Sequence, residues 1–261
     1  MNKGVSTVST RFTGKSVLVT GAGSGIGRAI AVAFAAEGAS VVVAGRTAAP
    51  LAETVALIEK EGGTAAAVTA DVSRSEEVRG LVDRTVELFG SLDVAVNNAG
   101  VFLGGGPIAD LSEADWRSLL DINVTGVLFG LQAEVSRMRE QSTGGAIVNV
   151  SSNLGAHTRI PGVGGYAATK AAVAALTRVA ALDHIADGVR INAVSPGPSA
   201  TTMSLHAGET DADRAARMKG ESPLGRVSTT AEVAAAVLYL ASADAASVVG
   251  TDLVIDGGAA A

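Results

Sequence analysis

The chain has 261 residues, 48% hydrophobic and 18% charged, with 20 basic and 26 acidic side chains for a net charge of −6. That balance excludes a disordered chain, which buries too little apolar surface to fold, and a nucleic-acid binder, which needs a basic stripe against phosphates. Zero cysteines exclude disulfide frameworks and thiol chemistry; His157, His184 and His206 show no ligand spacing, so no metal is expected.

Residues 1–12 read as a loose tail, and residues 13–261 as one domain. A β-branched strand at 16–20 runs into Thr20-Gly-Ala-Gly-Ser-Gly-Ile-Gly and a helix over 26–37. Gly21, Gly25 and Gly27 in such a turn let backbone N–H groups reach a pyrophosphate at the helix start. The spacing is neither G-x-G-x-x-G nor a Walker A loop. A strand at 40–44 leads to Gly45, Arg46 and Thr47 and a helix over 49–61. Next come a strand at 65–69, Asp71-Val72, and a helix over 76–89 opened by Ser75 and two glutamates. A strand at 92–96 ends in Asn97-Asn98-Ala99-Gly100, and Ser112-Glu-Ala-Asp115 opens a long helix over 115–139 that carries Asn123.

The strand at 146–150 ends at Ser151-Ser152 and is followed by a helix over 166–187, where Tyr166 and Lys170 lie one turn apart on one face. An ammonium beside a phenol favours the phenolate, and together with a second positive charge it could lower the tyrosine's pKa towards neutrality. A strand at 189–194 leads to Ser195-Pro196-Gly197; the polar segment 201–220 reads as a lid, followed by a helix over 231–241 and a strand at 253–255. The strands read as apolar on both faces, and strand–helix alternation implies a parallel sheet covered on both sides. The longest strictly apolar run, Val233 to Ala241, is about half a membrane span, and the Ser/Thr-rich start has no signal-peptide core. A soluble, cytoplasmic protein with no membrane partner is expected.

The glycine-rich turn, Asn97–Gly100, Tyr166-x-x-x-Lys170 and Ser195–Gly197 stand in the order of the short-chain dehydrogenases/reductases of the classical type, which this sequence resembles from about Thr13 to Gly258. The resemblance implies a doubly wound α/β Rossmann-type domain with seven parallel strands in the order 3-2-1-4-5-6-7. It implies reversible hydride transfer between a nicotinamide cofactor and a carbonyl/secondary alcohol pair. Tyr166 matches the general acid/base, Lys170 the residue that tunes it and holds the nicotinamide ribose, and Ser152 the group that binds the substrate oxygen, with Ser151 the alternative. Asn123 matches the asparagine of the proton-relay water. Gly21, Ser24, Gly25, Ile26 and Gly27 would hold the pyrophosphate, Asp71 and Val72 the adenine, Asn98, Ala99 and Gly100 the ribose, and Pro196, Gly197 and Thr201 the carboxamide.

Gly45 stands where NAD-preferring members carry an Asp, and Arg46 with Thr47 and Ser24 can grip a 2′-phosphate, so NADP(H) is the expected cofactor, with NAD(H) the alternative. The family also implies a homotetramer through the two long helices and the last strand. Six apolar residues in a row, Ala171 to Leu176, leave the second of these helices apolar all round. The substrate pocket would be built from residues 153–165, the loop after Gly100 and the lid, read as small or aliphatic with no arginine pair for an anionic substrate. His157 is assigned no catalytic role. A non-catalytic nucleotide sensor would be free to lose Ser152, Tyr166 or Lys170, and all three are present. A hydrolase needs a G-x-S-x-G elbow, which Gly23-Ser24-Gly25 does not supply.

Overall fold

Among residues 10–261, which the computed structural model describes, the β-branched runs pair into one parallel sheet of seven strands. These are β1 (Ser16–Thr20), β2 (Ser40–Gly45), β3 (Thr64–Thr69), β4 (Val94–Asn97), β5 (Gly145–Val150), β6 (Val189–Pro196) and β7 (Asp252–Ile255). Their order is β3-β2-β1-β4-β5-β6-β7, as expected for the doubly wound fold. The helices are α1 (Gly25–Ala36), α2 (Ala48–Lys60), α3 (Ser75–Phe89), α4 (Glu113–Leu120), α5 (Gly126–Arg139), α6 (Gly164–His184), α7 (Asp211–Glu221) and α8 (Thr230–Ala241). No described helix is long and apolar enough to cross a membrane.

Period-two alternation along β1 divides the core between two layers. Val17 and Val19 pack with Ile30 and Phe34 of α1 and Val237 of α8. Leu18 packs with Leu81 of α3, Leu131 of α5 and Val173 of α6. Each such buried side chain contributes about 1.5–3 kcal/mol, enough to hold the strand tips as a rigid platform. The expected tail lies outside the described residues as far as residue 9. Phe12, also assigned to it, sits edge-on to Phe34 at 4.8 Å and donates its amide to Glu37 O.

Three sequence readings change. The strands are not all apolar on both faces: β3 exposes Thr64, Ala67 and Thr69, and β7 is half-buried along its length. Both lie at sheet edges, where one flank lacks a neighbouring strand. The single helix read over 115–139 is α4, a π-helical turn at Asp121–Thr125, and α5. Hydrophobic period cannot register the one residue that a π turn adds. The segment 201–220 is not all loop: α7 occupies its second half, opened by a capping box between Thr210 and Asp213.

Candidate active site

The strand tips of β1, β4, β5 and β6 open into one cleft of about 1200 Å³, where ligands bind in sheets of this kind. Its floor is the turn after β1. Gly21 has φ +65°, and a Cβ there would lie 2.9 Å from Ala99 Cα; a Cβ on Gly27 would overlap the Gly21 carbonyl. The result is a cradle of bare backbone at the start of α1, the shape and polarity that a pyrophosphate requires. Ser24, the N-cap residue of α1, makes no side-chain capping bond, so its hydroxyl is available in the cleft. Asn98 braces this turn, its amide donating to Thr20 O at 2.9 Å and Gly21 O at 3.2 Å. Arg28 braces it from behind through Gly23 O and Thr54 Oγ1.

The opposite wall carries Ser152, Tyr166 and Lys170. Lys170 Nζ donates to Val150 O at 2.9 Å and lies 5.7 Å from the Tyr166 ring centroid. The two serines differ. Ser151 Oγ donates to Lys170 O at 3.0 Å and pins α6 to β5, whereas Ser152 hydrogen-bonds Tyr166. Burial pushes the Tyr166 hydroxyl up to about 12, outweighing the Ser152 hydrogen bond, and burial lowers Lys170 to about 8. Lowering of Tyr166 is therefore not a property of these protein groups alone, since burial disfavours the charged form of each.

Gly21, Ser24, Gly25, Ile26, Gly27, Asn98, Ala99, Gly100, Pro196, Gly197 and Thr201 all line this cleft. Thr201 reaches the cradle, with its Cγ2 3.3 Å from where a Gly25 Cβ would stand. Asn123 stands behind the wall. Its Oδ1 accepts from Val101 N at 2.8 Å, and its Nδ2 donates to Val101 O and Thr169 Oγ1. Arg46, Thr47, Asp71 and Val72 form a separate group at the tips of β2 and β3, joined where Ala70 N donates to Gly45 O at 3.0 Å. Arg46 is exposed and makes no hydrogen bond or ion pair among the described residues. Burial raises the Asp71 carboxyl, but hydrogen bonds from the Ser73 amide and hydroxyl and the charges of Arg46 and Arg74 hold it below its ordinary value. Val72 packs against Gly126 at the start of α5.

Sequence reasoning placed Asn153 in the pocket but missed Asp256. Asn153 Nδ2 donates to Asp256 Oδ2 at 3.1 Å in the cleft wall, where Gly197 permits the close passage of Asp256. Asp256 follows β7 directly, so the rule that places ligand groups at strand C-termini could have found it. The expectation of no arginine pair also fails, because Arg214 and Arg217 line the cleft. Both are committed internally: Arg214 donates to Thr201 O and Asp211, and Arg217 to Glu209 and Glu221. They stitch residues 201–221 together. His157 lies off the cleft, 2.8 Å from Asp252 Oδ2.

The family model described as enoyl-(acyl carrier protein) reductase matches residues 21–260. A cis-4-hydroxycyclohexanecarboxylate dehydrogenase of Sinomonas cyclohexanicum is 43% identical over 248 residues, covering 95% of this chain and 97% of that protein. A short chain dehydrogenase of Burkholderia cenocepacia, solved with NADP, superposes with TM-score 0.87 at 37% identity, over 96% of this chain and 100% of that one. Carveol dehydrogenase of Mycobacterium avium, solved with NAD, gives TM-score 0.91 at 30% identity, over 96% and 99%. The fold and cleft are those of a nucleotide-binding oxidoreductase. The chain belongs to the short-chain dehydrogenase/reductase family.

Proposed function

We propose that this protein is an NADP(H)-preferring oxidoreductase that interconverts a secondary alcohol and its ketone. The observation that carries this reading is the convergence of Ser152, Tyr166 and Lys170 on the wall facing the glycine cradle. The cradle would hold the pyrophosphate, Asp71 and Val72 the adenine, Asn98, Ala99 and Gly100 the ribose, and Pro196, Gly197 and Thr201 the carboxamide. When bound, the cofactor supplies or accepts the hydride and, oxidised, adds positive charge beside Tyr166.

In reduction Ser152 donates to the substrate oxygen and stabilises the charge that develops there. Tyr166, held protonated by burial, hands its proton to the same oxygen. Lys170, anchored on the Val150 carbonyl, keeps its cation next to the phenol as the proton leaves. Asn123 spends its side chain on Val101 and Thr169, so the π turn offers backbone to a water through which protons are replaced. Phe102, Leu154, Ile160 and Met203 line the cleft, and with the cis-4-hydroxycyclohexanecarboxylate named for the Sinomonas relative they support a ring-bearing alcohol or ketone.

Gly45 and the unpaired Arg46 support NADP(H); the NAD-bound carveol dehydrogenase favours NAD(H) as the second reading. Exposed Val179 and Leu182 on α6 and Leu128 on α5 support a homotetramer, and the acidic, cysteine-free composition suits the cytoplasm. Replacing Tyr166 with Phe should lower turnover at least about 100-fold, the usual contribution of a placed acid/base, while leaving cofactor affinity unchanged. Wild-type turnover in that variant would remove Tyr166 from the chemistry.

A further inference from the structure

Behind the cleft wall lies a buried polar chain that the reaction as described does not use. Glu134 of α5 is 1% exposed, and its Oε2 accepts from Asn97 Nδ2 at 2.9 Å. The same amide donates to Asn149 Oδ1 at 3.0 Å, linking β4 to β5. Asn149 Nδ2 then donates to Thr177 Oγ1 of α6 at 2.9 Å, and Thr177 donates to Val173 O. Gly130, one turn before Glu134, makes the room: a Cβ there would stand 2.5 Å from Asn97 Oδ1. Four elements are thus tied together by side chains whose donors and acceptors match in series.

Among the described residues no cation balances Glu134. Burial pushes its carboxyl up to about 7, with only the Asn97 amide acting against it. An apolar side chain of similar volume would cost the core less, so packing does not account for a carboxyl here. Its position in the sequence-to-site path does. Asn149 directly precedes Val150, whose carbonyl anchors Lys170, and Ser151, whose hydroxyl pins the Lys170 carbonyl; Ser152 follows.

We propose that Glu134 is a positioning residue for the reaction centre: through Asn97 and Asn149 it fixes the tip of β5 against α6 in the register that seats the Lys170 ammonium and the Ser152 hydroxyl. This rests on the oxidoreductase reading above. Asn98 is held separately by the Thr20 and Gly21 carbonyls, so the cradle does not depend on this chain of bonds.

The test compares Glu134→Leu, Glu134→Gln and Thr177→Val in the full-length protein. Glu134→Leu should lower kcat by at least about 10-fold and move a limb of the pH–rate profile by at least about half a unit, because Lys170 shifts relative to Tyr166. Cofactor Kd, measured by fluorescence titration, should move less than kcat, because the glycine cradle is held separately from Lys170, a split that loss of fold alone does not produce. Glu134→Gln, whose amide oxygen still accepts from Asn97, should keep kcat within about 3-fold. A folded Glu134→Leu variant with wild-type kcat and pH profile overturns the proposal. If that variant does not fold, the near-isosteric Thr177→Val decides: a several-fold loss of kcat with a displaced profile supports the proposal, and wild-type values refute it. Failure of the oxidoreductase reading would show separately, as no loss on replacing Tyr166 by Phe.

Discussion

Tyr166 and Lys170 are neighbours that each pay for burial: the phenol holds its proton up to about 12, and the ammonium gives up its own near 8. Above pH 8 the lysine therefore starts to lose the charge that a departing phenol proton needs, whereas the phenol remains a competent acid throughout. Arg46 poses the opposite situation, an exposed cation with no hydrogen bond or close ion pair among the described residues, whose charge reaches Asp71. Replacing it with Ala should cost NADPH about 1.5–3 kcal/mol of charge-assisted bonding, roughly 10- to 150-fold in affinity, with little change for NADH. Gly45→Asp should go further, repelling a 2′-phosphate while accepting from ribose hydroxyls. The ratio of kcat/KM for the two cofactors in wild type and both variants checks this; a wild-type preference for NADH would sink it. Glu134 yields a stability prediction. Its folded value near 7 exceeds the unfolded 4.5, so the native state loses stability as pH rises from about 4.5 through 7. Glu134→Gln cannot titrate, and its stability relative to wild type, followed by denaturant unfolding, should rise from pH 5 to pH 8 by on the order of 3 kcal/mol at most. A constant difference across that range would contradict the assignment.

At the scale of elements, Arg190 of β6 shows how a side chain replaces a cap. Its guanidinium donates to Leu240 O, Ala241 O, Ser242 O and Ala245 O at 2.8–3.2 Å, meeting the carbonyls that α8 leaves free at its end. Arg190→Ala should destabilise the protein by about 2–4 kcal/mol, read as a lower urea midpoint at fixed protein concentration with an unchanged m-value. An unmoved midpoint would mean that water satisfies those carbonyls equally well. Much of this level was legible in the sequence, because strands such as Val41–Val43 and helices such as α3 follow their periods closely. Two things were not. The π turn keeps helical hydrophobicity while adding a residue, and only the Asn123–Val101 bonds reveal why it is there. Helix α7 is polar enough to read as loop, although Thr210 and Asp213 carried its start signal. At the site, residues with motifs were found, while Asp256 and Glu134 act through partners far away in the chain, which spacing cannot express.

For the whole molecule, α6 turns Tyr166, Lys170 and Val173 inward and leaves Val179 60% and Leu182 75% exposed on its outer side. Two adjoining copies would bury such a face, and a dimer across it would also brace the helix that carries the acid and its lysine. Leu182→Glu should shift light-scattering mass towards the monomer and reduce turnover; an unchanged mass would show that this face is simply solvated. The lid has a different bearing on the protein's future. Ser152, Tyr166 and Lys170 hang from β5 and α6, whereas α7 is stitched by Arg214 and Arg217 largely to its own segment and to the loop before it. Met203 and helix α7 therefore sit on a stretch of chain separate from Ser152, Tyr166 and Lys170, whereas Leu154 and Ile160, which line the same cleft, lie between those groups. Exchanging residues 202–221 would reshape one side of the cleft while leaving the opposite side and the glycine cradle as they are.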